Sequence, residues 1–323
     1  MRRGRGFSYR SEEGEPIRDA EVLTRIRELA IPPAWKDVWI CLHPRGHIQA
    51  TGIDDAGRKQ YRYHDLWRQR RDREKFDEML DFAKALPAMR ERIVDDLGRR
   101  GLVRERVLAC ALRLLDLGFF RVGGERYAEE NETYGLATLR KRHVSLERGE
   151  AVFDFQAKGG QRHRGSLADP LVLPTVRALK RRSGGGHELL AYRQGRAWAD
   201  VRTADINQYL KEVAGGDFSA KDFRTWNATV LAAVAVARLN AERQPTTPTA
   251  RKRIASQAVK QVAEYLSNTP AVCRGSYIDP RVFDRFDSGE TIQGSLERIE
   301  RSAEPGEFPD RERIEAAVVR LLS

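Results

Sequence analysis

Between residues 38 and 64 the chain reads "VWICLHPRGHIQATGIDDAGRKQYRYH", short β-prone runs broken by Pro44-Arg45-Gly46 and by Asp54-Asp55-Ala56-Gly57. Such alternation with turn signals predicts a small antiparallel sheet. Ahead of it, "DAEVLTRIRELAIPP" has helical spacing and stops at Pro32-Pro33. From Asp65 the period changes, and "DLWRQRRDREKFDEMLDFAKAL" predicts a charged amphipathic helix that Pro87 ends. Beyond it, "VRERVLACALRLLDLGFF" and "NATVLAAVAVARL" are apolar on most faces, the signature of helices at the centre of a domain. "SQAVKQVAEYLS" and "RERIEAAVVRLLS" predict two more helices, and "AVFDFQAKGGQRHRGSL" a hairpin turning at Gly159-Gly160. No internal repeat is visible. The pattern predicts an α+β chain of two domains. Residues 1–90 form a small antiparallel β-sheet domain, and residues 91–323 a larger, mainly α-helical domain with a small inserted β-sheet.

Composition sharpens this picture. A chain of 323 residues with 33 % charged and 41 % hydrophobic positions is globular and long enough for two cores. Its net charge of +11 makes a polyanion the natural partner, most often nucleic acid, with a merely soluble Arg-rich protein as the alternative. The excess is spread: residues 1–90 hold 19 Lys+Arg against 15 Asp+Glu, and the remainder is basic too. Two basic domains suit a clamp around a rod better than a basic arm on a neutral body. Three scattered cysteines, Cys41, Cys110 and Cys273, exclude a disulfide framework and fit a reducing cytosol. No run reaches the roughly 18 apolar residues of a membrane span, and the Arg-rich start lacks the apolar core of a signal peptide.

His43 and His47 are four apart, but Pro44 and Gly46 between them rule out one helical face, so no metal site is predicted. Neither GxxxxGK[ST] nor GxGxxG occurs, which leaves a nucleotide cofactor without support. What remains is a spread of cations and one tyrosine. Arg121 follows a buried helix at a glycine-rich exit, and Lys158 stands at the predicted hairpin tip. Lys221 and Arg224 open another buried helix in "KDFRTWNA". Asn268 precedes a turn in "SNTPAVCRGSYID", nine residues before Tyr277. Each alone is most simply a surface cation or a packed ring. Together they meet the needs of phosphodiester cleavage. Phenolate attack builds charge on non-bridging oxygens, which guanidinium forks match. The departing alkoxide needs a proton, which a lysine can supply. Tyrosine preserves the broken bond as a phosphoester, and arginines can replace a metal as the source of positive charge.

The segments "FFRVGGERYAEENETYGLATLRKRHV", "FQAKGG", "KDFRTWNA" and "SNTPAVCRGSYI" resemble type IB DNA topoisomerases, in particular their compact poxvirus-like bacterial form. "GHIQATGIDDAGRKQYRYH" is similar to that family's N-terminal DNA-clamping domain, and the resemblance is colinear over most of residues 30–285. It implies the catalytic fold shared by topoisomerase IB and the tyrosine recombinases, acting without ATP, metal or other cofactor. Tyr277 would form a 3′-phosphotyrosyl link, Arg121 and Arg224 would hold the scissile phosphate, and Lys158 would protonate the 5′-oxygen. Asn268 stands where the family usually has histidine; its amide can donate to a phosphate oxygen but carries no charge. Gln60, Tyr61, Tyr63, Tyr127 and Lys221 are the implied contacts to duplex DNA. On the strand "QYRY", alternate tyrosines would share one face.

A tyrosine recombinase is the nearest rival, but its hallmark His-x-x-Arg is absent: the residue three before Arg224 is Lys221. A non-catalytic DNA clamp fits charge and aromatics equally well, and only the colinear Arg, Lys, Arg, Asn and Tyr speak against it. The expected partner is double-stranded DNA, not a membrane. The expected form is a monomer in the cytoplasm, associated with the nucleoid.

Overall fold

The computed structural model describes residues 2–3, 6–118, 120–125, 128, 132–302 and 310–323. It divides into two compact units, Met1–Asp77 and Glu78–Ser323. Sequence reading draws the boundary near residue 90; the division found here falls within a helix, between Asp77 and Glu78.

In the first unit, β1 (Arg2–Arg3) pairs with β2 (Gly6–Phe7), and α1 spans Ala20–Glu28. Asp19 caps α1 by accepting from the N–H groups of Glu21 and Val22. A three-stranded antiparallel sheet follows, in the order β3 (Lys36–Ile40), β4 (Ile48–Ile53), β5 (Lys59–Tyr63). The predicted turn at Pro44-Arg45-Gly46 is held by buried Gln49, whose amide nitrogen donates to the carbonyls of His43, Pro44 and Gly46. The register sets Trp39, Thr51 and Tyr61 side by side across the three strands. Trp39 is 47 % and Tyr61 45 % exposed, so this face presents aromatic surface to solvent.

The long helix α2 covers Asp65–Leu97, with Pro87 inside it. Here the structure corrects the expectation that Pro87 ends the helix. Pro87 lies on the exposed side, while Met79, Phe82, Leu86, Met89 and Ile93 bury the other. Each such side chain contributes about 1.5–3 kcal/mol, together more than the ~3 kcal/mol penalty of an internal proline.

The second unit is built on α3 (Arg104–Asp116) and α6 (Ala220–Arg243), both apolar nearly all round and buried. Around them stand α4 (Leu173–Arg181), α5 (Thr203–Ala214), α7 (Pro248–Tyr265), α8 (Pro270–Ser276), α9 (Arg281–Asp287), α10 (Gln293–Ser302) and α11 (Arg311–Leu322). The inserted sheet is β6 (Val144–Glu147), β7 (Glu150–Gln156) and β8 (Arg162–Leu167), antiparallel throughout. Gly159 and Gly160, at φ of 82° and 73°, make the turn between β7 and β8. A further hairpin, β9 (Ala191–Gln194) with β10 (Ala197–Asp200), went unread in the sequence.

A buried ionic network joins three of these helices. Arg90 of α2 forks onto both oxygens of Asp116, at 3.0 and 2.9 Å, and also reaches Glu315 of α11. Arg311 donates to Asp116 and to Asn227, each at 2.9 Å. Burial works to raise the Asp116 carboxyl, but Arg311 and Arg90 outweigh it and hold it below the usual carboxylate range. Asp116→Asn should therefore destabilise the protein by about 3–5 kcal/mol, because it strands buried guanidiniums. Since the folded carboxyl is depressed, the wild-type advantage is full above about pH 4, the unfolded value. It is lost as pH falls through the folded one. Urea unfolding of both proteins against pH should show the difference shrinking in acid; a constant difference would rule out this origin.

Candidate active site

Helix α7 ends at Leu266 in a Schellman turn: the Ser267 N–H bonds to the Glu264 carbonyl at 3.1 Å, and the Asn268 N–H to that of Ala263 at 2.9 Å. Glycine is usual at the left-handed position, but here it is Ser267, at φ 50°. A non-glycine residue there costs about 1–2 kcal/mol. The turn presents three successive acceptors to two arginines. Arg121 Nη2 donates to the Ser267 carbonyl at 3.1 Å and to Asn268 Oδ1 at 2.6 Å. Arg224 Nη2 donates to the Leu266 carbonyl.

Thr269 then caps α8, accepting from the Val272 N–H, with Pro270 at the first helical position. The turn expected after Asn268 is the start of a helix. Seven residues later Tyr277 caps the C-terminus of α8, half-buried. The Arg224 guanidinium lies over its ring, 5.1 Å from the centroid. Arg121, Arg224, Asn268 and Tyr277, more than 150 residues apart at the extremes, thus converge.

Among the described residues both arginines are held by neutral oxygens and neither meets a carboxylate, which leaves their charge for a ligand. Arg224 is 9 % exposed. Burial, then the nearby Arg121, pulls its guanidinium down to about 10, and Tyr277 works in the opposite direction. At neutral pH it stays protonated. Two buried donors, Arg224 Nε and Asn268 Nδ2, have no acceptor among the described residues. Leaving such donors unpaired costs about 1–3 kcal/mol each, and an anion with several acceptor oxygens would satisfy both. Asn268 has a double use here. Its Oδ1 holds Arg121 while its Nδ2 remains a donor, and a protonated imidazole could only donate.

Lys158 lies in the β7–β8 turn, exposed. Its hairpin is fastened next to Arg121 through Phe120, whose ring sits 4.8 Å from Phe153 and 5.7 Å from His163. His163, missed in the sequence, is a further group near Arg224, its imidazole pulled below its ordinary value by burial and then by that arginine. Cys273 is buried, and burial pushes its thiol up to about 11, which makes it a poor nucleophile at neutral pH. Among the described residues no cluster of His, Cys, Asp or Glu could hold a metal ion, and no helix is long and apolar enough to cross a membrane.

Of the expected DNA contacts, Tyr61 and Tyr63 share a face, stacked with centroids 6.0 Å apart, and Tyr63 stacks on Trp67. Gln60 points from the opposite face of β5, where its amide donates to Asp54 at 2.9 Å. Lys221 is exposed in the first turn of α6. Tyr127 lies outside the described residues.

Comparison with known families agrees with this architecture. Residues 64–302 match the catalytic core of eukaryotic DNA topoisomerase I, and residues 6–54 the N-terminal domain of bacterial DNA topoisomerase IB. DNA topoisomerase 1B of Acanthamoeba polyphaga mimivirus is 32 % identical over 277 residues, 84 % of this chain and 81 % of the relative. DNA topoisomerase 1 of Rabbit fibroma virus is 24 % identical over 72 % of this chain and 70 % of its own. DNA topoisomerase 1 of Schizosaccharomyces pombe is 33 % identical over 130 residues, which is 40 % of this chain but 15 % of that protein.

Proposed function

This chain belongs to the type IB DNA topoisomerase family, and from that premise we propose that Tyr277 relaxes supercoiled duplex DNA by transient cleavage of one strand. The observation that carries the reading is a pair of buried donors without an acceptor among the described residues, Arg224 Nε and Asn268 Nδ2, beside the tyrosine and two guanidiniums that no described carboxylate neutralises. Tyr277 Oη attacks the scissile phosphorus and a tyrosyl–phosphorus bond forms on the 3′ side. The bond from phosphorus to the 5′-oxygen breaks, and that oxygen takes a proton from Lys158 Nζ. The phenolic proton leaves to solvent, from which Lys158 recovers its own. Arg121, Arg224 and Asn268 stabilise the charge on the non-bridging oxygens, ready-oriented before the reaction begins. The free 5′ end swivels, and reversal of the same step reseals the strand.

The N-terminal β-sheet part clamps the duplex and the mainly helical part cleaves it. Tyr61 and Tyr63, with Lys221, contact the DNA. Gln60 joins them only by giving up Asp54. The basic surface draws the protein to the nucleoid in the cytoplasm, and one active site suffices, so a monomer can work.

Torsional strain supplies the driving force, so supercoiled plasmid should relax to a ladder of topoisomers in EDTA without ATP, for positive and negative supercoils alike. A strict need for magnesium or ATP would sink the mechanism. A protein that binds the plasmid without changing its linking number would be a clamp.

A further inference from the structure

Seven residues make α8 too short to hold its own end rigidly. Tyr277, which caps it, donates its N–H to the Cys273 carbonyl at 3.0 Å. Its carbonyl is fixed from elsewhere: Thr229 Oγ1 donates to it at 3.3 Å, and the same hydroxyl oxygen accepts from the Asp279 N–H at 3.1 Å. Met79 Sδ, 3.6 Å away, is the alternative and weaker acceptor. Thr229 sits on α6, five residues beyond Arg224, and is 0 % exposed. Threonines within helices often return the hydroxyl to the carbonyl four residues back, as Thr225 does to Lys221 at 3.3 Å. Thr229 uses its hydroxyl on the tyrosine segment. Ile278 between the two bonded residues is buried, and Asp279 is locked by an ion pair with Arg281 at 2.8 Å. Residues 277–279 are thus bound to the very helix that carries Arg224.

We infer that Thr229 is a positioning residue for strand cleavage: its hydroxyl sets the tyrosine backbone against Arg224 so that the phenol meets the scissile phosphorus in line. The inference rests on the reading of Tyr277 as nucleophile. Misplacing a reacting group by about 1 Å can cost up to ~10²-fold in rate.

Thr229→Val keeps the side-chain volume and removes both hydrogen bonds; Thr229→Ser keeps the hydroxyl. Single-turnover cleavage of a duplex, read as adduct trapped in detergent, should fall about 10–100-fold in the valine variant, with the dissociation constant for the duplex unchanged. Serine should restore the rate to within about threefold of wild type. If the valine variant does not fold, Thr229→Ser against Thr229→Ala isolates the same single oxygen. Cleavage by the valine or alanine variant as fast as by its hydroxyl-bearing counterpart overturns the inference. So does a serine variant as slow as valine, or a rate loss matched by loss of binding. If instead the wild type forms no adduct at Tyr277, it is the reading of the nucleophile that fails, and the two failures are told apart by mapping the wild-type adduct.

Discussion

Tyr277→Phe should bind duplex DNA as tightly as the wild type and form no covalent adduct. The change removes one oxygen and keeps the ring that packs beneath Arg224. The backbone anchors at Cys273, Thr229 and Asp279 are untouched. Stability should shift by about 1 kcal/mol or less, the worth of one hydrogen bond. Cleavage should fall by at least ~10⁴-fold, as when an enzyme loses a nucleophile that nothing replaces. The check is to incubate with a labelled duplex, denature with detergent, and look for label carried by protein. Adduct persisting in the phenylalanine variant would make the tyrosine structural and put the nucleophile elsewhere. A variant that also failed to bind DNA would show that the phenol holds the site together.

Lys158→Ala should cleave ordinary DNA about 10²–10⁴-fold more slowly, because an alkoxide needs a proton as it departs. A 5′-bridging sulfur changes that requirement, since a thiol has a pKa near 8.5 and its thiolate leaves unaided. On such a substrate Lys158→Ala should recover nearly the wild-type rate. Arg121→Ala and Arg224→Ala should stay slow, because the charge they are proposed to hold builds on the non-bridging oxygens with either leaving group. Arg121→Ala also frees the Asn268 carbonyl oxygen and the Ser267 carbonyl, so its defect should exceed one lost phosphate contact. A Lys158 variant that sulfur leaves as slow as before would make the lysine an electrostatic contact and not the acid.

Local pattern determined the elements wherever neighbours along the chain decide the outcome. Alternation in "KQYRY" set two tyrosines on one face of β5, and paired glycines at positive φ closed the β7–β8 hairpin. Helices apolar on most faces announced α3 and α6 as the buried centre. Resemblance, not periodicity, assigned roles to Arg121, Lys158, Arg224, Asn268 and Tyr277. The rest depended on surroundings that no window of sequence contains. Pro87 reads as a helix end until the burial on the opposite side of α2 is known. Ser267 adopts a glycine's backbone angle in a turn whose carbonyls receive Arg121 and Arg224. Gln60, implied as a DNA contact, turns out to be engaged by Asp54. Arg90 and Glu315 meet across 225 residues, and Thr229 meets Tyr277 across 48. A hydroxyl in a buried helix looks the same in sequence whether it bonds backward or outward. Which it does is decided by the group that folding brings within hydrogen-bond reach, because burial makes an unpaired polar atom costly and so rewards the partner at hand.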